Sequence, residues 1–261
     1  IPAPEIVTHG LLDEVAALVE GPVALVGQFD AKYLALPREV LLASMAKYQR
    51  VFAIQSSSGK LLPTFVAILD GKPRKLNEVR RVYEHILNVR LTDSLLFWEQ
   101  DRKRSLNDMA LDLSDVTFHE KFGSMLDKTR RLTAIAHSLG ELWSLNDQEF
   151  KDLLGACTLA KADLASTMVK EFPTLQGVMG KYYAVASGEK ETVAQAIEEH
   201  YLPLGDKLPR ILIGSALSIL DKFDTLASYF GLGIEPTGDQ DPFGLRRAAQ
   251  GIVEVAWAVR R

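Results

Sequence analysis

The sequence predicts an α+β chain, with an N-terminal α/β domain followed by an all-helical half. Two observations carry this. Short apolar runs bounded by turn-forming residues are confined to the first seventy or so residues, and apolar residues at helical spacing dominate everything after. The length, 261 residues, suits one large domain or two ordinary ones, and either can bury a real core. The expected division is residues 1–104, the α/β part with a basic connecting helix, and residues 105–261, the helical part.

Glu5 to Glu20 carries Ile6, Leu11, Leu12, Val15 and Leu18 near helical spacing, and Gly21-Pro22 stops it. Val23 to Val26 is a short buried strand. Pro37 stands as a first helical residue for Arg38 to Tyr48. Arg50 to Ile54 and Thr64 to Leu69 bracket Ser56-Ser57-Ser58-Gly59-Lys60, the pattern of a β-hairpin. Leu76 to Gln100 reads as one long helix or two. From Lys72 to Arg104 nine Lys/Arg stand against five Asp/Glu, either a solvated helix face or a phosphate-contacting surface.

The helical half follows. Asn146 or Asp147 can cap a helix reaching to Phe172, where Pro173 ends it. Glu191 to His200 is a shorter amphipathic helix, Pro203 to Pro209 a loop, and Ile211 to Phe230 a further helix with Gly231 as its cap. Asp241-Pro242 marks the start of a last helix, with Pro242 as its first residue and Arg246 and Arg247 in its opening turns.

Composition narrows the functions available. A net charge of −4 leaves no bulk basic surface for nucleic acid, so any such site is a local patch. One cysteine, Cys157, excludes an internal disulfide and fits a reducing, cytoplasmic setting. No apolar run approaches the roughly 20 residues that a membrane span needs. The chain opens on Ile1-Pro2-Ala3-Pro4 and stops at Arg260-Arg261 in mid-helix pattern, so it is expected to be a fragment. Phosphate-loop, dinucleotide-binding and serine-elbow signatures are all missing, and nothing in the residues activates an amino acid with ATP.

Several carboxylates fall where helical phase buries them. Asp163 shares a stripe with Ala156, Ala160 and Thr167; Asp221 shares one with Gly214, Leu217, Ser218 and Thr225, and Asp224 follows one turn on. A buried carboxylate must be paired, hydrogen-bonded or metal-bound. The structural explanation is an ion pair with a residue such as Lys128, Arg130 or Lys222. The chemical one is a metal site. Leu220 to Leu226 resembles the last metal-ligand helix of the histidine–aspartate (HD) phosphohydrolase superfamily. The matching His-Asp pair, however, stands here as Ala162-Asp163, and an aspartate alone replaces imidazole poorly. His137, 26 residues earlier, is the remaining candidate for a first ligand. Asp163 and Asp221 are therefore expected to mark a degenerate site holding no metal.

Three long stretches carry a second resemblance: Thr117 to Lys128; Lys161 to Leu164 continuing through Val169 to Ala184; and Asp221 to Leu226 joined to Pro236 to Ala249. Together, in this order, they resemble the β subunit of the bacterial two-subunit glycine–tRNA ligase. Leu18 to Val23, Leu36 to Leu41 and Gly59 to Pro63 are similar in kind. Between Asp70 and Leu87 the pattern departs from the family's, and its basic run survives only as Asn88 to Asp93. The resemblance implies an HD-like helical domain without hydrolysis, preceded by the latter part of an α/β domain. It further implies a role in recognising tRNA(Gly), within a heterotetramer of two α and two β chains whose α subunit binds ATP, Mg and glycine. Within this chain no catalytic residue and no cofactor is expected. Candidate tRNA contacts are Arg246 and Arg247, then Lys121, Lys128, Arg130, Arg131 and Lys181. The competing functions are a metal-dependent phosphohydrolase and a scaffold that binds only the α subunit.

Overall fold

The computed structural model describes residues 5–7, 10–238 and 240–259. The opening Ile1–Pro4 and the closing Arg260 and Arg261, which carry the abrupt ends, lie outside the described residues. The chain divides into two compact units, Ile1–Asp101 and Arg102–Arg261.

The first unit is built on a four-stranded sheet of β1 (Glu5–Val7), β2 (Pro22–Gln28), β3 (Phe52–Gln55) and β4 (Leu61–Asp70) in the order β1-β3-β4-β2. Every pairing is antiparallel, so this part, expected as an α/β domain, is α+β. β3 and β4 form the expected hairpin, closed by Ser56 N–H on the Lys60 carbonyl and by Gly59 at φ +79°. Gly27 faces Phe65 across the β2–β4 ladder, where a Cβ would lie 2.3 Å from the Phe65 ring. Glu5–Val7 is a strand, not the start of a helix. The helix that follows, α1 (Leu11–Ala16), is six residues long and packs Leu11 and Val15 against Phe52 and Val66.

Two longer helices complete this unit, α2 (Arg38–Gln49) and α3 (Leu76–Asp101), and the latter is one continuous helix of 26 residues. Glu84, Asn88 and Thr92 line one face of α3 at four-residue spacing. Glu84 accepts from Gln28 N–H (3.0 Å), Asn88 from Asp30 N–H (3.0 Å), and Thr92 meets the Tyr33 hydroxyl (2.6 Å). That face is therefore engaged within the unit. Of the basic stretch, Arg90 lies over the Tyr48 ring, 4.7 Å from its centroid.

The second unit is helical: α4 (Leu106–Leu111), α5 (Met125–Leu142), α6 (Asp147–Leu159), α7 (Thr167–Glu171), α8 (Val178–Ala186), α9 (Glu191–Glu199), α10 (Leu212–Gly231) and α11 (Leu245–Val259). It also carries a two-stranded ribbon that periodicity does not reveal, β5 (Thr117–His119) with β6 (Gly123–Ser124). α10 is the hub, packed against α5, α6, α9 and α11. Its buried Gly214, Ser215, Ala216 and Ser218 allow these close approaches.

Two expectations need correction here. The helix capped by Asn146 does not reach Phe172: it stops at Leu159, and a 3-10 turn at Ala162–Ala165 then re-aims the chain before α7. The last helix starts at Leu245, not Pro242. Gly244 at φ +67° precedes it, and the Asp241 carboxylate accepts from Leu245 N–H (2.8 Å) and Arg246 N–H (2.9 Å), satisfying two of its free donors. Among the described residues no helix is long and apolar enough to cross a membrane.

Candidate functional site

The carboxylates that helical phase singles out lie in the second unit, and lysines meet two of them. Asp221, on α10, has Lys128 Nζ 3.2 Å from Oδ1 and Lys161 Nζ 3.1 Å from Oδ2. Asp224, one turn further, takes Lys128 Nζ at 3.0 Å and a forked guanidinium, with Arg131 Nε 2.6 Å from Oδ1 and Nη2 3.1 Å from Oδ2. Lys128 Nζ also donates to the Asp221 carbonyl (3.0 Å) and to Thr225 Oγ1 (2.9 Å). An ammonium has three protons, and three hydrogen-bond partners saturate it. Its approach to Asp221 Oδ1 is thus an ion pair only. Burial by itself would raise the Asp221 carboxyl; Lys128 and Lys161 outweigh it and hold the group well below the usual carboxylate range.

Asp163 is handled differently. The 3-10 turn aims its carboxylate at the start of α8, where Oδ2 accepts from Gly177 N–H (2.6 Å) and Gly180 N–H (3.1 Å). Its Oδ1 is buried without a hydrogen bond, and burial raises the carboxyl to about 6 against the pull of those two donors. His200, also fully buried, bonds through Nδ1 to the Ile197 carbonyl (2.6 Å). Burial, and after it Lys161, push His200 well below 6.5, so the ring is neutral. Lys161 Nζ sits 4.0 Å from the centroid of the Tyr201 ring.

This donor set does not fit a divalent metal. Asp221 is held by two ammonium groups and Asp163 by backbone N–H donors, and the alanine at 162 offers no ligand. Among the described residues no three His, Cys, Asp or Glu are placed to share an ion. His137 stands edge-on to Phe150, with ring centroids 5.0 Å apart. Of the expected ion-pair partners, Lys128 is right. Arg130 instead meets Asp127 (3.2 Å), and Lys222 ties down the chain before α10 through the carbonyls of His200 (3.1 Å) and Leu202 (2.6 Å). Sequence reasoning missed Lys161, although a cation two residues before a carboxylate expected to be buried is a signal. Cys157 is buried, and desolvation pushes its thiol far above the ordinary range, which leaves it inert.

The seven basic candidates for phosphate contact separate into distinct groups. Lys128 is 2% exposed and Arg131 is forked on Asp224, so both belong to the internal network. Lys128 spends its three protons on buried partners, so the phosphate contact expected of it is corrected. Arg131 uses three of its five N–H groups, on Asp224 and the Phe122 carbonyl, and its side chain stays 29% exposed. Lys181 donates to Gln195 (2.6 Å) and Glu198 (2.9 Å). Arg246 straps the preceding loop through the carbonyls of Gly238 and Thr237. Lys121 and Arg247 are exposed, and neither side chain forms a hydrogen bond or ion pair among the described residues. Arg130 lines a cleft of about 680 Å³ with His119 and Asp127. Arg247 lines another of about 630 Å³, with Lys222, Tyr201, Phe243 and Gln250.

Fold and site together define a two-part α+β protein whose helical unit is centred on a network of lysine–aspartate and arginine–aspartate ion pairs. Residues 5–260 match the family described as glycyl-tRNA synthetase beta subunit, and the chain belongs to that family. It is 45% identical over 251 residues to the glycine–tRNA ligase beta subunit of Streptococcus suis, covering 95% of this chain and 37% of that protein. Against the same-named protein of Syntrophomonas wolfei the identity is 47% over 247 residues, covering 94% and 36%. For Bacillus subtilis it is 41% over 251 residues, covering 95% and 37%. The chain thus spans little more than a third of the length of these relatives.

Proposed function

We propose that this chain is the tRNA-recognising part of a glycine–tRNA ligase β subunit, working in the cytoplasm. Its partner is an α subunit that binds ATP, Mg and glycine and forms the ester, in an assembly of two α and two β chains. The chain itself supplies phosphate contacts and no chemistry. One observation supports the reading: Arg247 presents an exposed guanidinium in the first turn of α11 that forms no hydrogen bond or ion pair among the described residues and feels the Asp241 carboxylate only at a distance, whereas the aspartates a phosphohydrolase reading would use are held by lysines. Phosphate contacts fix an RNA's register and need few cations, which suits a chain of net charge −4. Arg246 acts here by holding the loop beside Arg247, and Lys121 and Arg130 extend the contact surface.

The test uses the complete two-subunit enzyme carrying Arg246→Ala and Arg247→Ala. Affinity for tRNA(Gly) should fall about tenfold, and the slope of log K against log salt should shrink by roughly one for each phosphate left without its cation. An unchanged affinity with an unchanged salt slope would assign the helical unit to subunit assembly alone.

A further inference from the structure

We infer that the cleft lined by α10 and α11 holds one unpaired RNA nucleotide, with its base on Phe243 and its phosphate on Arg247. The inference rests on the RNA reading above and narrows it to a single-stranded element. The Phe243 ring is stacked on Tyr229, with centroids 4.2 Å apart and planes 24° from parallel. Tyr229 is itself 7% exposed and braced edge-on by Phe118 (5.8 Å) and His119 (5.6 Å). Phe243 nevertheless remains 44% exposed and lines the cleft. It is the outer plate of a fixed aromatic stack, held on one face and open on the other. That is the platform on which an unstacked base settles, because every base offers a π face and a rigid platform loses little freedom on binding.

The polar groups lie where the rest of a nucleotide would need them. Arg247 lies four residues after Phe243, in the first turn of α11, and folds over Gly244, where a Cβ would stand 3.1 Å from Nη2. Glycine at 244 is thus required twice, by its φ of +67° and by the guanidinium above it. Gln250 commits its amide N–H to Glu254 (2.6 Å), which leaves its carbonyl oxygen to accept from a base amino group. Of the two carboxylates of the cleft, Asp221 is neutralised by Lys128 and Lys161, and Glu254, which accepts from the neutral Gln250 amide, keeps its charge in a cleft that Arg247 and Lys222 also line. A volume of about 630 Å³ is within the range of small-molecule sites. Paired bases in an A-form stem keep both faces covered and cannot reach Phe243, so the occupant is unpaired.

The complete two-subunit enzyme is tested with tRNA(Gly) transcripts, intact or carrying one abasic residue at each unpaired position in turn. Phe243→Leu keeps the apolar contact with Tyr229 but removes the π face, and should weaken intact tRNA about tenfold. Phe243→Trp should stay within about twofold of the parent. One abasic position should weaken the parent enzyme by a similar factor and cause no further loss in Phe243→Leu. Parent-like binding by Phe243→Leu, or losses that simply add at every abasic position, would overturn the inference. If that happens while the Arg246→Ala, Arg247→Ala enzyme still loses affinity and salt dependence, the RNA reading stands and only the single-nucleotide site falls. If the arginine pair has no effect either, both fall.

Discussion

Asp163 shows how much one carboxylate depends on its surroundings. Burial raises it to about 6 from an ordinary 3.8, so the folded chain holds this proton more tightly than the unfolded chain does. Its stabilising contribution is therefore present at about pH 4 and is lost as pH rises through 6. His200, buried neutral, has the opposite slope, so only a comparison of variant with parent isolates Asp163. Asp163→Asn keeps an acceptor for Gly177 and Gly180 and removes the titration. In urea unfolding, its stability relative to the parent should increase between about pH 4.5 and pH 7, and a constant difference would contradict the assignment. Asp163→Ala leaves both N–H groups without an acceptor and should cost about 1–3 kcal/mol per group at either pH. The sequence marked Asp163 and Asp221 as buried from their phase on apolar stripes. It did not show that one would be satisfied by backbone and the other by lysines, because those partners lie 14 to 93 residues away.

Among the elements, the second helical stretch is where sequence and structure part. Periodicity runs unbroken from Asn146 to Phe172 because Leu164 and Met168 keep the apolar phase, yet the chain leaves the helix at Leu159. What interrupts it is tertiary: Lys161 turns to Asp221 and Asp163 to the start of α8, and a straight helix would not direct both. Close packing of α8 on α9 lets the turn sit there. A Cβ on Gly180 would lie 2.6 Å from Ile197 Cγ2 and 3.2 Å from the Asp163 carboxyl. Gly180→Ala should therefore destabilise the chain by about 1–3 kcal/mol despite the better helix propensity of alanine, seen as a lower Tm. An unchanged or higher Tm would mean that α8 can shift freely. The ribbon Thr117–His119 with Gly123–Ser124 is illegible in the sequence for a simpler reason: strands of two or three residues show no period.

For the molecule as a whole, the lysine-filled pocket and the lack of any ATP-binding signature in the sequence point the same way. Supplied with ATP, glycine and tRNA, this chain alone should form no glycyl-tRNA, and product above background would contradict the proposed division of labour. Sequence by itself determined the hairpin, the helix that becomes the α10 hub and the family, because each depends on local period, turn chemistry or long ordered motifs; that Leu76–Asp101 is one helix and not two was left to the structure. It also showed alanine at position 162, directly before Asp163. Only the tertiary structure decided which groups meet the carboxylates. Lys128 and Lys161 reach Asp221 from α5 and from the turn before α7, Arg131 closes on Asp224, and Arg247 stays exposed at the surface. Charge neutralisation acts through space over a few ångströms, and no spacing along the chain encodes which distant cation will arrive.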